Sequence, residues 1–166
     1  MIAKEISPSE VAVDKHFIHQ LKEVLPFVFG MLSARCEETT VILVKSIATH
    51  VNQEVDEVRD GWFRVVLDCI KECKEDNDLP TRLSRVFGSL LQLECVSLER
   101  SNVGDPDVVI LAEALKTNTT ITSLHFSFNI IGAGGAVALA EALSSHPSLR
   151  VMNLSKIGRA SCRERV

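Results

Sequence analysis

The apolar residues of this chain change their spacing near residue 92. Upstream they recur every three or four positions, the period of a helix with one buried stripe. Phe17, Leu21 and Leu25, with Ile18, share one face before Pro26. Val44, Ile47, Val51 and Val55 form a second stripe, and Val58, Trp62, Val65 or Val66, and Cys69 form a third. This spacing predicts several helices between residues 9 and 91, interrupted by the polar stretch KECKEDNDLP that ends at Pro80. Downstream the period shortens. Val96 and Leu98, then Leu124 and Phe126, alternate with Ser97 and His125, the pattern of a strand with one buried face.

The downstream pattern repeats. LAEAL occurs at Leu111–Leu115 and again at Leu139–Leu143, an offset of 28 residues. In that register Leu93, Ile121 and Leu149 coincide, as do Val96, Leu124 and Met152, and Leu98, Phe126 and Leu154. Val103 matches Ile131 and Gly104 matches Gly132. Each unit reads as a strand, a tight turn and a helix. In the first helix Asp105 is the expected N-cap and Pro106 the first helical residue, followed by a stripe of Val108, Leu111 and Leu115. Asn118 and Pro147 are the expected stop signals. A period of this length is the signature of stacked strand–helix units. TRLSRVFGSL lies one offset upstream, with Leu83 opposite Leu111 and Phe87 opposite Leu115, and reads as a strandless half-unit closing the end of the stack.

The motif LxxLxLxxN followed by LAEAL resembles the ribonuclease-inhibitor class of leucine-rich repeats. Ile121, Leu124, Phe126 and Asn129 in ITSLHFSFN carry the likeness, which covers Leu93 to Ser155. It is similar to repeats of Ran GTPase-activating proteins and of nucleotide-binding leucine-rich-repeat receptors. The first unit departs from the motif, with Ser101 where Asn is expected. The resemblance implies an α/β solenoid with parallel strands on a concave face and helices on a convex face, preceded by an α-helical segment. The expected organisation is a helical segment of unassigned family over 1–80, a capping half-repeat over 81–92, two full repeats and a partial one over 93–155, and a tail over 156–166.

That tail changes the charge. IGRASCRERV resembles the translation of a sequencing adapter, codon for codon as ATC GGA AGA GCG TCG TGT AGG GAA AGA GTG. On this reading the tail is artefactual and the protein's own sequence continues past Ser155. The formal charge of −4 counts the tail; removing Arg159, Arg163, Arg165 and Glu164 takes Lys+Arg from 18 to 15 and Asp+Glu from 22 to 21, leaving −6. Either value argues against a nucleic-acid partner. No apolar run has the length of a membrane span, and MIAKEISPSEVAVDKHF lacks a signal peptide's apolar core. Five irregularly spaced cysteines read as free thiols in a reducing compartment, so a cytoplasmic location is expected.

Motifs for chemistry are weak. GAGGA at Gly132–Ala136 precedes a helix but lacks the Lys-Ser/Thr of a phosphate-binding loop, and no P-loop occurs elsewhere. Cys69 and Cys73 share a helical face without the further ligands a zinc site requires, and read as buried thiols. His16 and His19 read as surface residues. No cofactor and no catalytic group is expected. The candidate site is the face formed by residues alternating with the buried strand positions: Cys95, Ser97, Glu99 and Arg100 in the first unit, Ser123, His125, Ser127 and Phe128 in the second, Val151 and Asn153 in the third. Phe128 and Arg100 are of the types enriched in binding hot spots, although Phe128 could equally fold back over its turn. The leading expectation is a non-enzymatic module that binds another protein. From the resemblance come two alternatives: a GTPase activator of the Ran type acting on a small GTPase, with Glu99 and Arg100 as the nearby surface groups, or a fragment of an innate-immune receptor.

Overall fold

The computed structural model describes residues 24–54, 56–73, 78–144 and 146–158, without the side chains of 56–58. The elements run α1 (Val24–Ser33), α2 (Glu37–Val51), α3 (Asp56–Glu72), α4 (Leu79–Leu90), β1 (Cys95–Ser97), α5 (Asp105–Leu115), β2 (Ser123–His125), α6 (Ala133–Leu143) and β3 (Val151–Asn153). The helix face proposed around Phe17 and Leu21 lies outside the described residues, as do His16, His19 and positions 159–166. Pro26 does not end a helix: it lies within α1.

The expected leucine-rich-repeat solenoid is corrected by this architecture. Among the described residues the protein is mostly helical, with six helices and one sheet of three strands, each three residues long. It is not a many-stranded array. The physical reason lies in the upstream half: its apolar stripes are satisfied by helix-on-helix packing, so four helices precede the first strand. The α/β character is confined to a small sheet at one end.

Helix α3 is the hub. Trp62, Phe63, Val65, Val66, Leu67, Cys69 and Ile70 are all buried and together form a wide apolar face. An apolar face that wide needs neighbours on several sides, and α3 touches α1, α2, α4 and α5. Phe63 meets Phe87 of α4 edge to face, with ring centroids 5.2 Å apart. Gly88 is the point of closest approach between α4 and α5: a Cβ there would lie 2.0 Å from the Ala114 carbonyl oxygen. Across the same contact Arg85 meets Glu113 at 2.9 Å, and Lys116 meets it as well. Burial works to raise the Glu113 carboxyl, but hydrogen bonds from Lys116 and Arg85 outweigh it and hold the pKa below the usual range.

The three strands are parallel in the order β1-β2-β3. Their register is Cys95↔Ser123↔Val151, Val96↔Leu124↔Met152 and Ser97↔His125↔Asn153. Each step across the sheet is 28 residues of sequence. Beyond the strands the ladder continues as Leu98 N–H to His125 O and Arg100 N–H to Ser127 O, then Phe126 N–H to Asn153 O and Phe128 N–H to Ser155 O. Helix α5 packs on α4 and on α6.

Candidate functional site

The turns after the strands are built by side chains of the neighbouring unit. Asn129 is buried, and its Oδ1 accepts from Ser101 N–H at 3.1 Å and Val103 N–H at 3.0 Å. Its Nδ2 donates to the carbonyls of Leu98 and Phe126. The turn at Ser101, which lacks the motif's Asn, is therefore bonded by the Asn of the next unit. Arg64 of α3 holds the same turn from the other side. Its Nη1 donates to Ser101 O at 3.3 Å and Asn102 O at 3.2 Å.

Arg64 belongs to a four-membered charge cluster. It bonds Asp68 through Nε at 3.2 Å and Nη2 at 3.1 Å, and reaches Asp107 Oδ2 at 3.3 Å. Lys71 Nζ lies 2.7 Å from Asp68 Oδ1 and 2.6 Å from Asp107 Oδ1. Burial works against the Lys71 ammonium, but hydrogen bonds to Asp107 and Asp68 outweigh it and raise its pKa. Asp107, whose side chain is 5% exposed, also accepts from Gly104 N–H at 2.9 Å and so caps its own helix from the third helical position. Two cations facing two anions make a clamp between α3 and α5, with no group left over for chemistry.

The expected N-cap role of Asp105 is corrected. Gly104 occupies the N-cap of α5, and Asp105 is the first helical residue. Its carboxylate crosses to the next unit and accepts from Gly132 N–H at 2.6 Å, at the N-terminus of α6. A Cβ on Gly135 would meet Asp105 Oδ1 at 2.8 Å, and one on Gly132 or Gly134 would meet Oδ2 at 3.0 Å. The glycines of GAGGA thus make room for an internal carboxylate. The anion that a helix N-terminus favours is already supplied by the chain.

The thiols differ. Cys69 and Cys73 are buried and free, Cys73 Sγ lying 3.4 Å from Cys69 O, and burial pushes both pKa values up. Cys36 is exposed just before α2. The Thr39 hydroxyl donates to its Sγ at 3.0 Å and holds its pKa below the usual thiol range.

The strand face divides the remaining candidates. Ser97, Ser123, His125 and Asn153 are half-buried, while Glu99, Arg100, Phe128 and Val151 are exposed. Cys95 is half-buried beside Ser123. Ser127 is corrected: it is 2% exposed and its hydroxyl pairs with that of Ser155 at 3.2 Å, so it belongs to the turn and not to the surface. Asn153 Oδ1 accepts from Ser155 N–H at 3.1 Å and from its hydroxyl at 2.7 Å.

Phe128 is the centre of what is left. It is 42% exposed, and its backbone is left-handed at φ 60°. Arg100 and Lys156, one register step to either side, are left-handed as well, at φ 53° and φ 57°. The Arg100 guanidinium carbon stands 4.6 Å from the Phe128 ring centroid and the Lys156 ammonium 4.5 Å from it. Lys156 was missed on the sequence because it was assigned to the tail; the 28-residue offset from Phe128 was the signal that pointed to it.

No family model matches the chain, and neither a curated protein nor a solved structure matches it.

No group of three or more His, Cys, Asp or Glu able to hold a metal ion occurs among the described residues. No described helix is long and apolar enough to cross a membrane. The exposed column Arg100–Phe128–Lys156, with the half-buried Ser97, Ser123 and His125 beside it, is the surface on which a functional reading rests.

Proposed function

We propose that this chain is a non-enzymatic module that binds another protein through the open face of its sheet, with Phe128 as the anchor. The observation that carries this reading is the state of Phe128. A bulky side chain in a left-handed backbone costs about 1–3 kcal/mol, and such strain concentrates at functional positions. The ring recovers only part of that cost by burial, because Phe128 stays 42% exposed. Its contacts are two cations, each worth about 0.5–1 kcal/mol at an exposed site. An exposed aromatic flanked by Arg is the composition of an interface hot spot. Asn129, the next residue in the chain, is tied to the carbonyls of Leu98 and Phe126, and the neighbouring turn after Arg100 is held by Asn129 and Arg64, so little ordering is required on binding.

The test separates binding from packing. Asn tolerates the left-handed region better than Phe. Phe128→Asn should therefore melt within about 0.5 kcal/mol of the wild type, as surface changes do. Proteins captured by the immobilised wild-type chain are identified, purified and titrated back. The Asn variant should bind them at least about tenfold more weakly, a loss of about 1.4 kcal/mol. Equal affinity for every purified partner would remove this reading, as would a stability loss of about 3 kcal/mol or more, the cost of deleting a packed aromatic.

A further inference from the structure

We infer that the partner segment is acidic: it sets a carboxylate against Arg100 and Lys156 and an apolar side chain against the Phe128 ring. This rests on the reading of that face as a protein-binding surface, and it adds the chemistry of what binds.

The argument starts from charge. Five of the described Lys and Arg side chains are met inside the chain, Arg64 and Lys71 by Asp68 and Asp107, Arg85 and Lys116 by Glu113, and Arg82 by Glu37, whereas Arg35, Lys45 and Arg150 stand outside these pairs. Arg100 and Lys156 form no ion pair among the described residues, and both are exposed. Instead they share one ring, so their positive centres lie no more than about 9 Å apart, near the screening length of physiological salt. Two like charges held this close repel each other, and an anion set beside the ring edge within reach of both offsets that repulsion. The acid on these turns is Glu99, which is exposed and pairs with neither cation.

The donor chemistry supports the same partner. A guanidinium whose contact is an aromatic ring still has N–H groups to offer, and a carboxylate can accept two of them. The ring edge beside it offers an apolar seat. Phosphate chemistry is disfavoured because the chain as a whole carries −4, which repels a polyanion with many phosphates but not one or two carboxylates.

Three fluorescein-labelled decapeptides of alternating residues, Glu–Leu, Gln–Leu and Lys–Leu, and a labelled single-stranded oligothymidylate are titrated against the full chain by anisotropy. The Glu–Leu peptide should bind at least about tenfold more tightly than Gln–Leu, the difference a charge-assisted pair supplies. Its affinity should fall as salt is raised. Arg100→Gln and Phe128→Asn should each weaken it severalfold at unchanged melting temperature, while Glu99→Gln should strengthen it. Equal binding of Glu–Leu and Gln–Leu overturns the inference, as does no effect of Arg100→Gln, tighter binding of the oligonucleotide, or no binding of the Glu–Leu peptide. Preference for Lys–Leu that is lost in Phe128→Asn also overturns it while leaving the protein-binding reading standing. That reading falls separately, if the captured partners bind the Phe128 variant as well as they bind the wild type.

Discussion

Residues 93–120 and 121–148 run through the same strand, turn and helix, yet among the described elements α5 of the first packs against α4 and α6 while α6 of the second packs against α5 alone. The consequences appear position by position. Val108 and Ala112 of α5 are buried, whereas Ala136 and Ala140 in the same places on α6 are exposed. Leu115 is buried and Leu143 half-buried. In the sheet, Val96 and Leu124 are 1% and 0% exposed, while Met152, next in register, is 42% exposed. Burial here is decided by the adjoining unit, not by the motif a residue sits in. Polar bonding follows the same rule. The turn of the first unit is bonded by Asn129 of the second, and the helix of the second is capped by Asp105 of the first.

The strongest way to break the comparison is to put a charge into the doubly covered unit. Leu111→Asp buries an unpaired carboxylate beneath α4 and α6, a cost of several kcal/mol that should abolish cooperative melting. Leu139→Asp enters a helix covered on one side only. It should leave residual helical signal from residues 24–90, read by far-ultraviolet circular dichroism. Next comes the pair in one register. Leu124→Ala should cost about 3 kcal/mol in denaturant unfolding, as a filled core position does, and Met152→Ala less than about 1 kcal/mol. Equal costs would mean that the free edge of β3 is covered in solution.

The two helix starts give a smaller contrast. Asp107→Ala leaves Arg64 and Lys71 to share Asp68 alone and removes the acceptor of Gly104 N–H, and should cost about 2–3 kcal/mol. Asp105→Ala removes only the acceptor of Gly132 N–H and should cost about 1 kcal/mol. The smallest difference is one of pH. Asn118 Oδ1 accepts from Thr120 N–H and Ile121 N–H, and His146 Nδ1, one register step on, accepts from Ser148 N–H and Leu149 N–H. The two residues do the same work, but only the second titrates. Desolvation lowers the His146 pKa, so the unfolded chain takes up the proton first. The stability it contributes is present above the ordinary histidine value and is lost as pH falls through the lowered one. Melting curves of wild type and His146→Asn should therefore separate as pH is lowered from about 7 to about 5, the variant losing less. Parallel curves would show that His146 is not the titrating group.

The sheet was legible because its signal is local and repeated: Val96, Leu124 and Met152 could be aligned by counting. The extent of the fold was not. A short alternating pattern says which residues face inward but not how many such strands exist, and the solenoid inferred from it gave way to a mostly helical molecule. Helix α3 shows why the upstream half was harder. Its single predicted stripe omitted Phe63, Leu67 and Ile70, which are buried beside the charged Arg64 and Lys71. Those charges face Asp107, some 40 residues on, and nothing in the local pattern announces a partner so distant. Among the candidate site residues, Arg100 and Phe128 were picked by type and by their place after the strands, and both are exposed. Ser127 was misassigned because alternation was carried past the end of a three-residue strand into the turn.

The Arg64–Asp107 contact limits how far the strand–helix units can be treated as portable. A fragment starting at Leu93 would keep Asp107 and lose both cations that neutralise it, together with the guanidinium that ties down Ser101 and Asn102. It would also strip α4 from the flank of α5 that Gly88 fits so closely. Anyone grafting the Phe128 surface onto another scaffold, or trimming the chain to its minimum, has to cut upstream of α3.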